Sequence, residues 1–177
     1  AAGLFLVSLP VLVVLAVKEP YRMRRLTSFL DPWADPSKSG YQTIQSLFAL
    51  GPGHIFGVGL GRSRQKLYYL PLPHNDFIFA IIGEELGFVG AVTVLLLFFI
   101  LFWRGIRIAM LAPDSFGSLL AAGITSLLAI QVLMNVAVVT GSIPVTGVNL
   151  PLISAGGSSV FFTLCGFGIL LNISKQV

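Results

Sequence analysis

Apolar residues fall into four long runs along the chain, separated by polar or glycine-rich stretches. Because a helix rises about 1.5 Å per residue, about 20 apolar residues cross the hydrocarbon core of a bilayer. The pattern predicts four spanning helices, at residues 1–17, 76–102, 116–140 and 158–173. A long loop, 18–75, follows the first run, and an apolar segment broken by prolines and glycines, 141–157, precedes the last. The predicted class is an all-α polytopic membrane protein.

Composition supports this class over a soluble domain. Of the 177 residues, 55% are hydrophobic and 10% are charged, whereas soluble domains carry roughly a quarter charged residues. The sequence starts within an apolar run, without a Met or a signal-peptide pattern, so we expect residues 1–177 to be the C-terminal part of one longer membrane domain. The single cysteine, Cys165, excludes an intrachain disulfide.

Basic residues are concentrated in the long loop. Of the 11 Lys and Arg, all but Arg104, Arg107 and Lys175 lie in residues 18–75. A simple count of positive charges would place this loop in the cytoplasm, but the rule weakens for loops of about 60 residues. The residues alone leave the orientation open. The loop lacks the context of a nucleic-acid surface, so the membrane rather than a nucleic acid is the predicted partner.

The stretch PLPHNDFIFAIIGEELGFVG contains the strongest candidate site. It places Asp76 at the mouth of the second predicted span, and Glu84 and Glu85 inside it. Ionised side chains are costly in hydrocarbon and usually mark a site that uses them. Asp76 is either a general base at the membrane surface or a helix N-terminal acid stabilised by the helix dipole. The pattern favours neither. His74, just before Asp76, belongs to a predicted ordered entrance to this site.

Helical phasing at about 100° per residue separates the two glutamates. Small residues share the face of Asp76, where bare backbone would let another helix approach closely: Ala80, Gly83, Gly87 and Gly90. Glu84 lies near this face and is predicted to meet a polar cavity. Glu85 lies on the opposite side and needs a separate partner.

Two further groups carry polar atoms in apolar surroundings. Gln131 and Asn135 are four residues apart, and we predict that they hydrogen-bond between helices rather than contact substrate. The segment 141–157 is predicted to re-enter the protein or to lie outside it. Backbone amides at its end would bind an anion, or Ser158 would cap the next helix, at Gly156, Gly157, Ser158 and Ser159.

Other patterns exclude two kinds of site. The glycine-rich stretch GPGHIFGVGLGRS matches neither nucleotide-binding fingerprint. His54 and His74 lack the spacing of metal ligands, so no protein metal site is predicted.

Five stretches resemble the SEDS family (shape, elongation, division and sporulation) in order and spacing: YRMRRLTSFLDPWADP, GYQTIQSLFALGPG, GVGLGRSRQKLYYLP, HNDFIFAIIGEELGFVGA and PVTGVNLPLISAGGSS. The resemblance covers essentially the whole chain and is closer to the division and sporulation members. It implies a ten-helix fold, of which this chain would supply about four helices, and an extracytoplasmic loop at 18–75. This part alone is expected to be inactive.

The resemblance also implies a function, the polymerisation of lipid II into glycan strands. The family's catalytic aspartate falls on Asp76, which would deprotonate the acceptor hydroxyl for an inverting attack. Basic residues would neutralise the undecaprenyl diphosphate leaving group, with Arg62, Arg64 and Lys66 as the candidates, or a divalent cation, Mg²⁺ or Mn²⁺, would do so. The implied partners are a class B penicillin-binding protein and other divisome proteins, at the septum of the bacterial plasma membrane.

Two other functions fit the same residues, namely a lipid II flippase and a non-catalytic septal scaffold. Intramembrane acids and broken helices also suit a transporter, and a scaffold would tolerate Asp76→Asn. The chain departs from the family pattern at Leu72 and Ala155, where many members carry Glu and Tyr. These departures leave the local substrate contacts open.

Overall fold

The computed structural model describes Arg25 and residues 27–37, 40–68 and 75–176. Within these residues all regular structure is helical. Arg25 and residues 27–30 are α-helical. They are followed by a short 3₁₀ helix, Pro32–Ala34, and by five α-helices: α1 (Tyr41–Leu50), α2 (Arg64–Tyr68), α3 (Ile78–Leu111), α4 (Ser115–Val139) and α5 (Gly157–Ser174). The predicted span 1–17 lies outside the described residues.

Helices α3, α4 and α5 are each long and apolar enough to cross a membrane. The prediction of an all-α polytopic membrane protein is therefore confirmed. Helix α3 continues to Leu111 and contains Arg104 and Arg107, where the sequence pattern placed the end of the span at residue 102. Aromatic and basic residues mark the membrane surface without breaking a helix, whereas Pro113 cannot continue one. Asp114 then caps α4 by accepting a hydrogen bond from the Gly117 N–H at 2.7 Å.

Helices α3 and α4 form an antiparallel pair. Gly105 of α3 lies directly against the Thr125 side chain, because a Cβ at Gly105 would overlap the Thr125 hydroxyl. At the other end of α4, α1 is attached by the Ser46 hydroxyl, which donates to the Val139 carbonyl at 2.7 Å. The main core cluster joins these elements and includes the fully buried Phe77 and Leu150.

Helix α3 is broken at Gly87, whose φ of 67° and ψ of −164° lie outside the helical region. Only glycine adopts this conformation readily. The loop 53–59 replaces the hydrogen bonds that the break removes. The Val58 and Gly59 N–H groups donate to the carbonyls of Glu84 and Glu85 at 3.0 and 3.1 Å. In return, the N–H groups of Phe88 and Val89 donate to the carbonyls of His54 and Ile55, at 2.9 and 3.1 Å.

The glycine face of α3 meets helix α1 at Gly83, where a Cβ would overlap the Leu50 side chain, and meets the 53–59 loop at Gly87. The sequence prediction of a close helix approach is therefore confirmed at Gly83, and the contact with the loop is an addition to it. Gly53 approaches the Gly83 carbonyl too closely to allow a Cβ, and Gly57 lies equally close to the Glu85 carbonyl. Loop and helix approach backbone to backbone because these glycines carry no side chain. Sequence phasing identifies a surface of close approach but does not identify the element that occupies it.

The break also sets the level of Asp76 in the bundle. Asn135 lies ten residues after Thr125 on α4, so the residue of α3 at its level is about ten before Gly105, near position 95. The Asn135 side chain nevertheless contacts the backbone of Asp76 at 2.8 Å. A straight helix would separate Asp76 from position 95 by about 28 Å. The part of α3 before Gly87 therefore turns back, and residues 76–102 do not form one straight span as the sequence pattern predicted.

Candidate functional site

Asp76 lies in a turn that comes just before α3. The N-cap of α3 is Phe77, which is fully buried, and no side chain caps the helix. Among the described residues, none donates a hydrogen bond to the Asp76 carboxylate. The carboxylate therefore makes no capping hydrogen bond among the described residues. The two sequence interpretations, a general base and a helix N-terminal acid stabilised by the dipole, both stay predictions.

The Asp76 carboxyl is partly buried, and burial raises its pKa above the usual aspartate range. The positive charge of Arg25 acts in the opposite direction and lowers this pKa, but it is the smaller of the two effects. Gly147 faces the carboxylate, since a Cβ built there would lie 3.6 Å from Asp76 Oδ2. The absence of a side chain at Gly147 leaves one side of the carboxylate open.

Arg25 is a site residue that the sequence analysis did not single out. Its Nη1 donates to the Val145 carbonyl at 2.7 Å. Val145 lies two residues before Gly147, so the guanidinium and the Asp76 carboxylate meet the same short stretch of the 141–156 segment. The sequence shows Arg25 only as one of several loop cations, and no periodicity connects it to position 76.

The 141–156 segment forms one wall of the site. Two side chains attach it to the turn at Asp76: Asn135 donates to the Asp76 and Val148 carbonyls, both at 2.8 Å, and Ser154 donates to the Asn75 carbonyl at 2.5 Å. Asn135 therefore has a structural role. The sequence analysis expected its hydrogen bonds to reach another helix, whereas they join α4 to two loop backbones. Ser154 was not singled out.

Helix α5 begins at the end of this segment. Gly156 is its N-cap and makes no side-chain cap hydrogen bond, so the expectation that Ser158 is the cap is wrong. A glycine cap leaves the amides of the first turn without a side-chain acceptor. Gly157 and Ser158 are exposed and Ser159 is partly exposed. Anion binding by these residues stays a prediction.

Arg62 and Arg64 line a cleft of about 640 Å³, together with Phe48, Pro52, Val58, Gln65 and Glu84 among others. Both arginines are exposed. The buried Gln65 Oε1 has no hydrogen-bond partner among the described residues. Lys66 is partly buried, and its backbone N–H donates to the Ser63 hydroxyl at 3.0 Å. His74 lies outside the described residues.

Glu84 holds this cleft together. Its side chain is 2% exposed; one carboxylate oxygen accepts the Arg64 N–H at 3.0 Å, and the other accepts the Ser63 hydroxyl. Glu84 thus fixes the start of α2 and lines the cleft through oxygens already hydrogen-bonded. Glu85 is also buried, and its Oε1 has no hydrogen-bond partner among the described residues. Its need for a separate partner stays a prediction.

A divalent cation was one expectation for the leaving group. Within the described ranges, no group of three His, Cys, Asp or Glu side chains lies close enough to hold a metal ion. The described residues therefore do not fit a protein metal cage, and no chemical step is assigned to a cation.

The fold and the site together define the class. The protein is a helical integral membrane protein in which the partly buried Asp76 carboxyl, which makes no capping hydrogen bond, lies just before a broken helix. The profile of the FtsW/RodA/SpoVE family, described as cell cycle proteins, matches residues 1–177, and the chain belongs to this family. The resemblance to SEDS proteins is thereby confirmed.

Two relatives show how close the match is. The chain is 58% identical over 170 residues to stage V sporulation protein E of Bacillus subtilis (strain 168), covering 96% of this chain and 46% of the relative. It is 51% identical over 175 residues to a probable peptidoglycan glycosyltransferase FtsW of Geobacter sp. (strain M18), covering 99% of this chain and 48% of the relative. The chain spans about half the length of the curated relatives it matches.

Solved structures agree with this assignment. One, reported as "Structural coordination of polymerization and crosslinking by a peptidoglycan synthase complex", matches with a TM-score of 0.73 at 34% identity, covering 99% of this chain and 48% of that chain. The second is a mutant of the rod shape determining protein RodA of Thermus thermophilus. It matches with a TM-score of 0.55 at 40% identity, covering 58% of this chain and 35% of that one.

Proposed function

We propose that the protein to which this chain belongs is a peptidoglycan glycosyltransferase that polymerises lipid II, and that Asp76 is its general base. The carrying observation is the Asp76 carboxyl, which is partly buried, has a raised pKa and makes no capping bond. The relatives named as probable peptidoglycan glycosyltransferases support the same reaction class.

The proposed step is an inverting displacement. Asp76 accepts the proton of the acceptor sugar hydroxyl while the hydroxyl oxygen attacks the donor's anomeric carbon. The bond from that carbon to the undecaprenyl diphosphate breaks, and the diphosphate leaves with the electron pair. A raised pKa strengthens the carboxylate as a base, because the ideal pKa lies near the working pH. The open side at Gly147 leaves space for the acceptor.

The diphosphate carries the charge that this reaction must stabilise. Arg62 and Arg64 are exposed on one cleft, and arginine matches phosphate oxygens in a bidentate manner. Lys66 and His74 are proposed to assist them, and Glu84 keeps Arg64 in place through its backbone. The unpartnered Gln65 oxygen is a candidate acceptor for a sugar hydroxyl. The α5 start at 156–159 is a second proposed anion contact.

The proposed partner is a class B penicillin-binding protein, which would crosslink the strands that this protein makes. The structural neighbour reported as a peptidoglycan synthase complex supports a partner of this kind. Similarity to a stage V sporulation protein and to FtsW proteins supports a role in sporulation or division, at the septum of the plasma membrane with other divisome proteins. A divalent cation, Mg²⁺ or Mn²⁺, would have to be held largely by the substrate diphosphate.

The test uses the full-length protein with its penicillin-binding partner and purified lipid II. Asp76→Asn should lower the rate of glycan-strand formation by about 10²- to 10⁴-fold, the usual contribution of general base catalysis. Asp114→Asn is the matched control, because Asn caps a helix as well as Asp, and it should retain the wild-type rate. Equal polymer from Asp76→Asn and wild type would contradict the role of Asp76 as general base. No polymer from either protein would favour the scaffold or the flippase. Lipid II translocation without polymer would favour the flippase.

A further inference from the structure

The turn that carries Asp76 is held by two side chains from elsewhere in the chain. Asn135 on α4 uses both hydrogens of its Nδ2, donating to the Asp76 and Val148 carbonyls at 2.8 Å each. The Ser154 hydroxyl donates to the Asn75 carbonyl at 2.5 Å and accepts the Leu150 N–H at 2.8 Å. The carbonyls of Asn75 and Asp76 are therefore both fixed.

Both side chains are almost completely inaccessible, with Asn135 1% and Ser154 3% exposed. The two acceptors of Asn135 are backbone carbonyls, so only its amide nitrogen can face them, and its side-chain orientation is determined. The hydrogen bonds to the Asn75, Asp76 and Val148 carbonyls are partly buried, so a carbonyl that loses its donor is less well solvated there than in open water. The turn therefore has a strongly preferred position.

We propose that Asn135 and Ser154 are positioning residues that fix Asp76 against the 148–154 segment and so set its geometry for proton transfer. The inference rests on the proposed function. Neither residue touches the reacting atoms; each acts through the backbone of the turn. Because both also hold the 148–154 segment, a displacement of that segment is transmitted to Asp76.

A neighbour on α4 shows that this role is specific to Asn135. Gln131 lies one turn earlier on the same face, but it lines a groove between α4 and α5, together with Ser158 and Phe162. No hydrogen bond joins Gln131 to the described turn at Asp76. The two amides, which the sequence presents as a pair, therefore differ in what they contact.

Loosening the turn should change both the rate and its pH dependence. Burial raises the pKa of Asp76. When the turn moves and water reaches the carboxyl, this pKa falls, so the acid limb of the pH–rate profile shifts to lower pH. Arg25 is the described charge that acts on Asp76. Residues 115–156 contain no titratable side chain and α1 contains only Tyr41, so neither contributes a competing titration in this range.

The experiment compares four variants of the full-length protein with its partner: Asn135→Leu, Gln131→Leu, Ser154→Ala and Asp76→Asn. Leu has the same branched heavy-atom skeleton as Asn, with a larger volume, and removes both donors. We expect Asn135→Leu and Ser154→Ala to lower kcat by about 10- to 100-fold, as misplacing a catalytic group by about 1 Å does. KM should change little, and the acid limb should move to lower pH. Gln131→Leu should keep the wild-type profile.

The pH limb separates positioning from simple instability, because a smaller folded fraction scales the rate without moving the limb. The inference would be overturned if both Asn135→Leu and Ser154→Ala kept the wild-type kcat. It would also be overturned if the acid limb of the pH–rate profile stayed in place in both variants. An equal shift in Gln131→Leu would also overturn it. If Asp76→Asn retains the wild-type rate, the proposed function itself fails; if it is inactive while the other variants behave as wild type, only the positioning role fails.

Discussion

Asn135 donates a 2.8 Å hydrogen bond to the carbonyl of Asp76, across 59 positions of the chain. This contact defines the architecture, because it brings the turn before α3 against α4, about one turn from the C-terminal end of that helix. The sharp break at Gly87 makes the contact possible. The candidate base therefore sits beside the bundle rather than beyond its end.

Gly87→Ala should be strongly destabilising. A Cβ at Gly87 would meet the loop backbone at Gly57 and Ile55, and its φ of 67° strains any other residue. We expect a loss of at least about 2 kcal/mol in the free energy of unfolding, and loss of activity. The midpoint of thermal unfolding in detergent measures this.

Gly123→Ala is the control for that substitution. It lies inside α4, and among the described residues no atom beyond the neighbouring helix backbone lies within 4 Å of the position that its Cβ would take. Ala there should be neutral or stabilise by about 0.5–1 kcal/mol, through helix propensity. A Gly87→Ala protein as stable as Gly123→Ala would show that the break is not required.

Asp76→Asn should not destabilise the protein at neutral pH. Because the folded pKa of Asp76 is raised by burial, the native state holds the proton more tightly than the unfolded chain. This group therefore reduces stability as pH rises from the unfolded pKa to the folded pKa, and the reduction persists above it. The uncharged Asn avoids this effect. We expect an equal or higher midpoint of thermal unfolding at pH 7, and a clearly lower midpoint would indicate a structural bond to the carboxylate.

Arg25→Gln should move the acid limb of the pH–rate profile to higher pH. The Arg25 charge lowers the pKa of Asp76, so its removal raises this pKa and the base becomes ionised only at higher pH. The direction is opposite to that expected for Asn135→Leu. Measuring kcat/KM between pH 4 and pH 8 would test both; an unchanged or lowered limb in Arg25→Gln would contradict the assignment.

Arg62→Gln and Arg64→Gln should weaken binding of the lipid diphosphate. A charged hydrogen bond contributes about 1.5–3 kcal/mol, so each change should raise KM by roughly 10- to 100-fold. Arg104→Gln and Arg107→Gln are matched controls, since these residues lie near the far end of α3 and line a different cleft. If the controls raise KM equally, net charge rather than the Arg62–Arg64 cleft binds the substrate.

The sequence predicts the helices better than it predicts their relationships. Apolar runs locate α3, α4 and α5 because hydrocarbon length constrains them directly. The family motifs locate Asp76 as a candidate. The apolar pattern does not predict the break at Gly87, because a glycine within an apolar run is compatible with either a straight or a broken helix. The pattern also does not predict the roles of Arg25 and Ser154. Their hydrogen bonds reach backbone atoms far along the chain, and such contacts cannot be read from residue spacing.

The exchange of hydrogen bonds at Gly87 makes loop and helix one cooperative unit. In a continuous helix, the amide protons of Phe88 and Val89 would be protected by carbonyls one turn earlier. Here they are protected by His54 and Ile55. Their rates of hydrogen exchange therefore report the opening of the 53–59 loop rather than the fraying of α3. Hydrogen exchange measured at two amides of α3 thus reports how often the 53–59 loop opens.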